Sequence, residues 1–461
     1  MKNIPWVITK NIAWIESMHQ PKGYSGPVVH YWQDCLHYIG PSMNWCYEGI
    51  IAAYIMMYKK TQNEILIALL RRAGNDIINN QMPNGTFFNS HFENNPSLAR
   101  GGTPHDTAAA LGLAYLAEFL KRQEKPYERY LAAAKKSIDE YHIKRLYDAK
   151  TGLFFQYLYD PQCLHVPNKI ATLLQLMMLV DKLTGKKEYA SYIERNAEYI
   201  LEMQDSSLMD GGIYQTEKRD RIITYYTARC VPALMEVYEL TKKKKYIKAA
   251  KKAGAFIKRM RAKKGGYYFG YSRTPRGWSM FKYPIFIAGS GDITRALFLL
   301  EGKTKIVKND VAWLCSHQLP SGGIMTSKGM TLKDKQTQES QEECSWRDVL
   351  PVVGWNDKAL RLLVELMPTR CSLQFQVESH VYRRVCADGA ITEDAKKILV
   401  QGKESYVFSK AAYFSSNNKL MSRIMRRALK KIGARSDRKL DVKVYDYLLK
   451  QGFAIKPLLR R

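Results

Sequence analysis

Long apolar runs are missing from this sequence. No stretch approaches the roughly 18 consecutive apolar residues that a membrane-spanning helix needs. Met1 to Met18 also lacks a basic region followed by an apolar block and a small-residue cleavage site. That segment reads as a helix of the mature protein, and the expected compartment is the cytoplasm. Paired cysteines are absent too. Cys35, Cys46, Cys163, Cys230, Cys315, Cys344, Cys371 and Cys386 form no C-x-x-C pair. Most lie in apolar helical contexts, so buried free thiols are expected, and neither a metal site nor a cofactor is. Acidic residues are scarce, with 43 Asp and Glu against 72 Lys and Arg, a formal net charge of +29. Such an excess favours anionic partners: a phosphate, an acidic sugar, a nucleic acid or a membrane surface. The basic residues follow no known nucleic-acid reader motif, so nucleic acid is not an expected partner.

What is present is length and repetition. The chain has 461 residues, 46% of them hydrophobic, enough for a large core. A glycine loop recurs after helix-like stretches that often end in Gln. The loops are His19-Gln20-Pro21-Lys22-Gly23, Gln81-Met82-Pro83-Asn84-Gly85, Asp148-Ala149-Lys150-Thr151-Gly152, Gln204 with Asp210-Gly211-Gly212, Lys264-Gly265-Gly266, and Gln318-Leu319-Pro320-Ser321-Gly322-Gly323. One glycine from each, at 23, 85, 152, 212, 266 and 323, marks a period near sixty residues.

Each interval holds two helices of about 18 residues at roughly 1.5 Å rise per residue. The first of each pair is apolar on all sides and the second amphipathic: 44–60 then 65–78, 107–120 then 127–141, 170–183 then 189–203, 225–240 then 246–260, and 293–300 then 307–317. A sixth apolar helix is expected from about Trp346 to Met367, with a break near Gly354. Its outer partner would be the first helix of the chain, Trp6 to Met18. Six inner and six outer helices then close a ring, the alternative being an open solenoid. The expected organisation is an all-α (α/α)6 toroid over residues 1–367 and a basic, mainly helical extension over 368–461.

Gln-x(2–3)-Gly loops joining helical hairpins resemble the six-hairpin glycosidase superfamily and its polysaccharide-lyase and sugar-epimerase relatives. The same punctuation is similar to the toroids of terpene cyclases and prenyltransferases. The resemblance covers residues 1–367 and is architectural. It implies a carbohydrate-active enzyme, foremost a glycoside hydrolase of an acidic or lipid-linked oligosaccharide. Unsaturated glucuronyl hydrolases of this superfamily use aspartates at the funnel.

In such a ring the glycine loops and the starts of the inner helices share one face. Helix N-termini present free N–H groups and positive dipole ends there, which suits an anionic or hydroxyl-rich ligand. The candidate catalytic residues at these starts are Asp106, Asp292, Asp348, His105 and Glu48. Candidate substrate-binding residues are Asn44, Trp45, Tyr225, Tyr226, Arg229, Trp278, Trp346 and Arg347. Asp106 opens a very apolar helix, where burial would raise its pKa and suit a general acid, although aspartate there is also a common cap. Glu48 lies a turn inside its helix, where capping does not explain it and pairing with an arginine does. Glycoside hydrolysis uses two carboxylates about 5 to 9.5 Å apart, which Asp106 with Asp292 or Asp348 would supply.

Three further functions compete. A uronate lyase or epimerase would move protons with His105 and Tyr225 or Tyr226 while Arg229 and Asn44 neutralise the carboxylate. A non-catalytic glycan-binding toroid needs no acid at all. A terpenoid cyclase-like protein would want an Asp-x-Asp-Asp string or an Asp-rich metal motif, and neither occurs. Near the C-terminus, residues 418–432 form a basic amphipathic helix by pattern. It would either lie on an anionic membrane or dock on the ring.

Overall fold

A computed structural model describes residues 4–20, 23–24, 26–30, 35–39, 44–87, 106–156, 164–319, 321–330, 348, 351–368, 406–408 and 455–457. Its twelve described α-helices are α1 (Ile4–Ser17), α2 (Tyr47–Thr61), α3 (Ile65–Asn79), α4 (Asp106–Arg122), α5 (Glu128–Lys136), α6 (Pro167–Thr184), α7 (Ala190–Glu202), α8 (Thr224–Thr241), α9 (Lys244–Arg259), α10 (Ser290–Glu301), α11 (Lys305–Ser316) and α12 (Val353–Leu366). A π-helical segment, Ser137–Leu146, continues α5. Helices α2, α4, α6, α8, α10 and α12 pack each on the next, and α12 packs back on α2. The ring of inner helices is therefore closed. The other six stand outside it, with α1 against α12.

Patterning explains the two layers. Inner helix α2 buries Ile50, Ile51, Ala53, Tyr54 and Met57, so its apolar residues point in every direction. Outer helix α9 buries only one stripe, including Tyr246, Ala250, Ala253 and Ile257, and leaves its lysines outside.

The repeated Gln has a structural cause. Gln81 Nε2 donates to Gly85 O at 3.3 Å and to Ala133 O of α5 at 2.8 Å. Gln204 Nε2 donates to Gly211 O at 3.1 Å and to Ala249 O of α9 at 2.9 Å. Gln318 Nε2 donates to Gly322 O at 3.0 Å and to Val7 O of α1 at 2.8 Å. Each amide thus ties its own glycine loop to the next outer helix, and Gln318 treats α1 as the next outer helix. The glycine is needed twice over. Gly211 has φ +89°, and a Cβ on it would lie 2.1 Å from Lys252 O; a Cβ on Gly322, φ +99°, would lie 2.2 Å from Lys10 O.

A buried polar cluster closes the seam between α1 and the first hairpin. Glu16 of α1 accepts from Tyr24 at 2.6 Å, from Tyr54 at 2.5 Å and from Arg72. His19 Nε2 lies 2.7 Å from Asp76 Oδ2. Burial alone would raise the Glu16 carboxyl, but Arg72, then His19, then the two phenols outweigh it and hold it below its ordinary value. Burial and Arg72 push the His19 imidazole down more than Asp76 raises it. Both shifts have the same consequence. Below the ordinary histidine value of 6.5 the unfolded chain takes up a proton that folded His19 refuses, and below 4.5 it takes up one that Glu16 refuses. Stability therefore falls on acidification, by at most about 1.4 kcal/mol per pH unit per proton. Urea unfolding between about pH 6.5 and 5 should show a smaller acid loss in His19→Gln than in the parent. Equal slopes would remove His19 from the account.

The sixth inner helix, α12, spans Val353–Leu366 after Val352 in extended backbone, and Asp348 before that is helical, so the expected interruption falls just ahead of Gly354. Gly354 lies in its first turn; the missing side chain makes room for the Trp45 ring, which would be 2.7 Å from a Cβ there. The loops also carry short strands, among them β1 (Arg221–Ile223), β2 (Gly270–Thr274) and β3 (Gly277–Phe281), which form one antiparallel sheet. Beyond residue 368 only two paired strands, Tyr406–Phe408 and Ile455–Pro457, are described. The helical pattern at 418–432 lies outside the described residues. Among the described residues no helix is long and apolar enough to cross a membrane.

Candidate functional site

The axis of the ring is filled by one polar layer to which all six inner helices contribute. Glu48 of α2 is 0% exposed and accepts from Arg229 Nη1 at 3.1 Å, Arg229 Nη2 at 2.8 Å and Arg361 Nη1 at 2.6 Å. Arg229 of α8 also donates to Asp292 Oδ2 of α10 at 3.1 Å and to Thr172 Oγ1 of α6 at 3.1 Å. Arg361 of α12 faces the Tyr115 ring of α4, 5.9 Å from its centroid. Tyr225 of α8 donates to Asp292 Oδ2 at 3.1 Å. Burial alone would raise the Glu48 carboxyl, but Arg229, Arg361 and Lys358 outweigh it and hold it well below the carboxylate range. Glu48 is an ionised, doubly paired anion. Asp292 is 5% exposed, and its Oδ1 accepts no hydrogen bond from the described residues.

Toward the starts of the inner helices the lining becomes aromatic. The Trp355 ring meets Trp45 edge-on at 5.2 Å and Tyr225 edge-on at 5.2 Å, and stacks on Phe286 at 5.2 Å. Tyr226 packs at 6.2 Å from Tyr225. Buried polar atoms there lack partners: Trp45 Nε1, Thr107 Oγ1, Asn168 Oδ1 and Asp357 Oδ1. These atoms belong to four inner helices or the turns before them. Buried polar groups are almost always hydrogen-bonded, so orphans at the inner-helix starts are atoms with which a hydroxyl-rich ligand could pair; others are scattered through the ring. Asp357 is shifted in the opposite direction to Glu48. Burial pushes its carboxyl up to about 8, against the pull of Lys358 at 2.5 Å and with the help of Asp292 and Glu48. Among the described residues no three His, Cys, Asp or Glu side chains converge as metal ligands.

No protein-family model and no curated protein matches the sequence. Solved structures do match the ring. An unsaturated glucuronyl hydrolase specific for heparin aligns with a TM-score of 0.54 at 14% identity, over 79% of this chain and 99% of that one. A family 76 glycoside hydrolase from Bacteroides thetaiotaomicron gives 0.52 at 15% identity, over 79% and 78%. A D-mannose isomerase gives 0.50 at 11% identity, over 78% and 96%. The chain has the six-hairpin glycosidase-like (α/α)6 toroid fold. Hydrolases and an isomerase share this toroid, so the ring alone does not choose a reaction.

The toroid brings together Glu48, Arg229, Asp292 and Tyr225 from three helices, with Trp45 and Tyr226 close by. Asn44 is buried in the single 3-10 turn, Asn44–Cys46, that precedes α2. Trp278 stands apart in β3, half-buried and tilted against Tyr214 at 6.1 Å. Asp348 is buried and accepts from Ser327 Oγ at 2.8 Å and from the Met330 N–H at 3.0 Å, so it holds a loop. Asp106 is the first residue of α4, its side chain outside the description; His105, Trp346 and Arg347 lie outside the described residues. Sequence reasoning missed Asp357, Lys358, Arg361 and Trp355. Their signal was present: an inner helix must be buried all round, yet α12 carries Asp357, Lys358, Arg361 and Glu365.

Proposed function

We propose that this toroid is a carbohydrate-active enzyme, a glycoside hydrolase whose substrate is an acidic oligosaccharide. The observation that carries the reading is the site at the inner-helix starts. Aromatic faces of Trp355, Trp45 and Tyr226 offer stacking surfaces for sugar rings, orphaned polar atoms offer hydroxyl partners, and Asp292 lies beside them with one free oxygen. In this reading Asp292 and Asp106 are the two carboxylates that flank the scissile bond, one protonating the leaving oxygen and the other acting as base or nucleophile. Glu48 and Arg229 orient Asp292, because both are consumed by the axial layer. The strongly basic chain favours a substrate bearing carboxylates or sulfates.

The test is turnover of acidic oligosaccharides, saturated and unsaturated at the non-reducing end, read by mass spectrometry. Hydrolysis adds one water across the bond. A lyase instead leaves an unsaturated product that absorbs in the near ultraviolet. Asp292→Asn and Asp106→Asn should each lower kcat by at least about a hundredfold with a cooperative thermal transition retained. If Asp106 is only a helix cap, its variant loses about 1 kcal/mol of stability and keeps its activity. No turnover and no binding of any acidic oligosaccharide would sink the reading.

A further inference from the structure

The outer wall carries a charged feature that the axial site does not use. From Lys242 to Lys264 the sequence holds twelve Lys or Arg and no Asp or Glu. Most of this stretch is α9, whose apolar stripe is buried against the ring. Of the side chains exposed along it, Ala255 alone is uncharged. Eight of these cations fall into two sets. Those that lean to the flanks are neutralised: Lys243 by Glu194 at 2.5 Å, Lys245 by Glu198, Lys252 by Asp210 at 3.3 Å and Lys258 by Glu301 at 2.6 Å. Lys244, Lys248, Lys251 and Lys263 meet no carboxylate among the described residues.

The second set forms a line. Spacings of four and three residues put Lys244, Lys248 and Lys251 on one ridge of the helix, spanning roughly 10 Å at 1.5 Å per residue. Lys263 is exposed past the helix end, in the loop that leads to the next inner helix. Farther on, the exposed Arg273 and Arg276 stand in the β2–β3 hairpin that carries Trp278. The uncompensated charge thus runs up the outer wall to the face where the candidate site opens.

We infer that this ridge is a docking track for a single extended acidic glycan, long enough to reach from the outer wall to the inner-helix starts. The inference rests on the acidic-oligosaccharide reading for what lies at the end of the track, but binding to the track requires no turnover. The width of the feature selects the partner. The free cations occupy one helix ridge, flanked by Glu194 and Glu198 on one side and Glu301 on another. A flat anionic bilayer or a nucleic-acid duplex is broad enough to press on those carboxylates as well; one polysaccharide chain is not. No large apolar side chain on the ridge is exposed for insertion into lipid.

The experiment uses the full chain in affinity electrophoresis through gels containing polygalacturonate. In Lys244→Gln/Lys248→Gln/Lys251→Gln/Lys263→Gln the apparent Kd should weaken by about tenfold at low ionic strength. A control with four cations removed elsewhere, Lys59→Gln/Arg71→Gln/Lys150→Gln/Lys187→Gln, should migrate as the parent does. Trigalacturonate, too short to span the track, should bind parent and ridge variant alike. Equal weakening in both quadruple variants would overturn the track, leaving net charge as the cause. Binding that needs these lysines on phosphatidylcholine–phosphatidylglycerol vesicles or on a DNA duplex, without retardation by polygalacturonate, would also overturn it. If no glycan is ever hydrolysed yet retardation depends on the ridge, the track stands and the hydrolase reading falls.

Discussion

Replacing Arg229 by methionine should destabilise the protein by about 3–5 kcal/mol, the usual cost of removing one partner from a buried ion network. Arg229 is 4% exposed and joins Glu48, Asp292 and Thr172. Its loss leaves Glu48 with Arg361 and leaves Asp292 with only the Tyr225 hydroxyl. An uncompensated carboxylate then sits in the core. The network need not be a net source of stability for this to hold, because the penalty comes from stranding a charge. It follows that Arg229→Met combined with Asp292→Asn should be less damaged than Arg229→Met alone, since the Glu48–Arg361 pair survives and no charge is stranded. Urea midpoints with unchanged m-values measure both. A loss below about 1 kcal/mol in the single variant would mean that water reaches Asp292 freely, against its burial.

Deleting residues 1–20 should abolish the cooperative fold. Helix α1 is the outer partner of α12, although some 350 residues separate them in the chain. Val7, Ile8, Trp14 and Ile15 are fully buried. At about 1.5–3 kcal/mol per buried side chain, these four contribute roughly 6–12 kcal/mol. That is comparable with the whole stability of an ordinary domain, about 5–15 kcal/mol. The deletion also leaves Gln318 without its carbonyl on Val7, Asn356 without Asn11 at 2.8 Å, and Arg72 without Glu16. Circular dichroism melts should lose their transition. A truncated chain that stays monomeric and melts at the parent temperature would mean that the ring does not depend on α1.

The same repeat that made the fold legible concealed the chemistry. The glycine of each loop, and the Gln where it occurs, are local requirements. One amide must reach a neighbouring carbonyl, and one residue must adopt a positive φ without a side chain. Such requirements leave a mark at a fixed spacing, and six marks near sixty residues apart announce six hairpins. The candidate site leaves no such mark. Glu48 and Arg229 are 181 residues apart and Glu48 and Arg361 are 313 apart, so nothing along the chain pairs them. Glu48 stood out in the sequence because capping could not explain it, and an arginine partner does. Asp357 and Arg361 did not stand out, because the opening of the sixth inner helix was read at 345–348, ahead of the interruption before Val353.

The sequence by itself determined the count of hairpins, the alternation of all-round apolar and one-sided helices, and the role of the first helix as the last outer one. Local patterning and turn chemistry are written at short range, so they can be read there. Only the tertiary structure decided which charges neutralise one another on the axis, that burial pushes Asp357 up to about 8, and which lysines of α9 are left without partners. Each of these depends on distance and desolvation between residues from different helices, and those quantities exist only once the ring has closed.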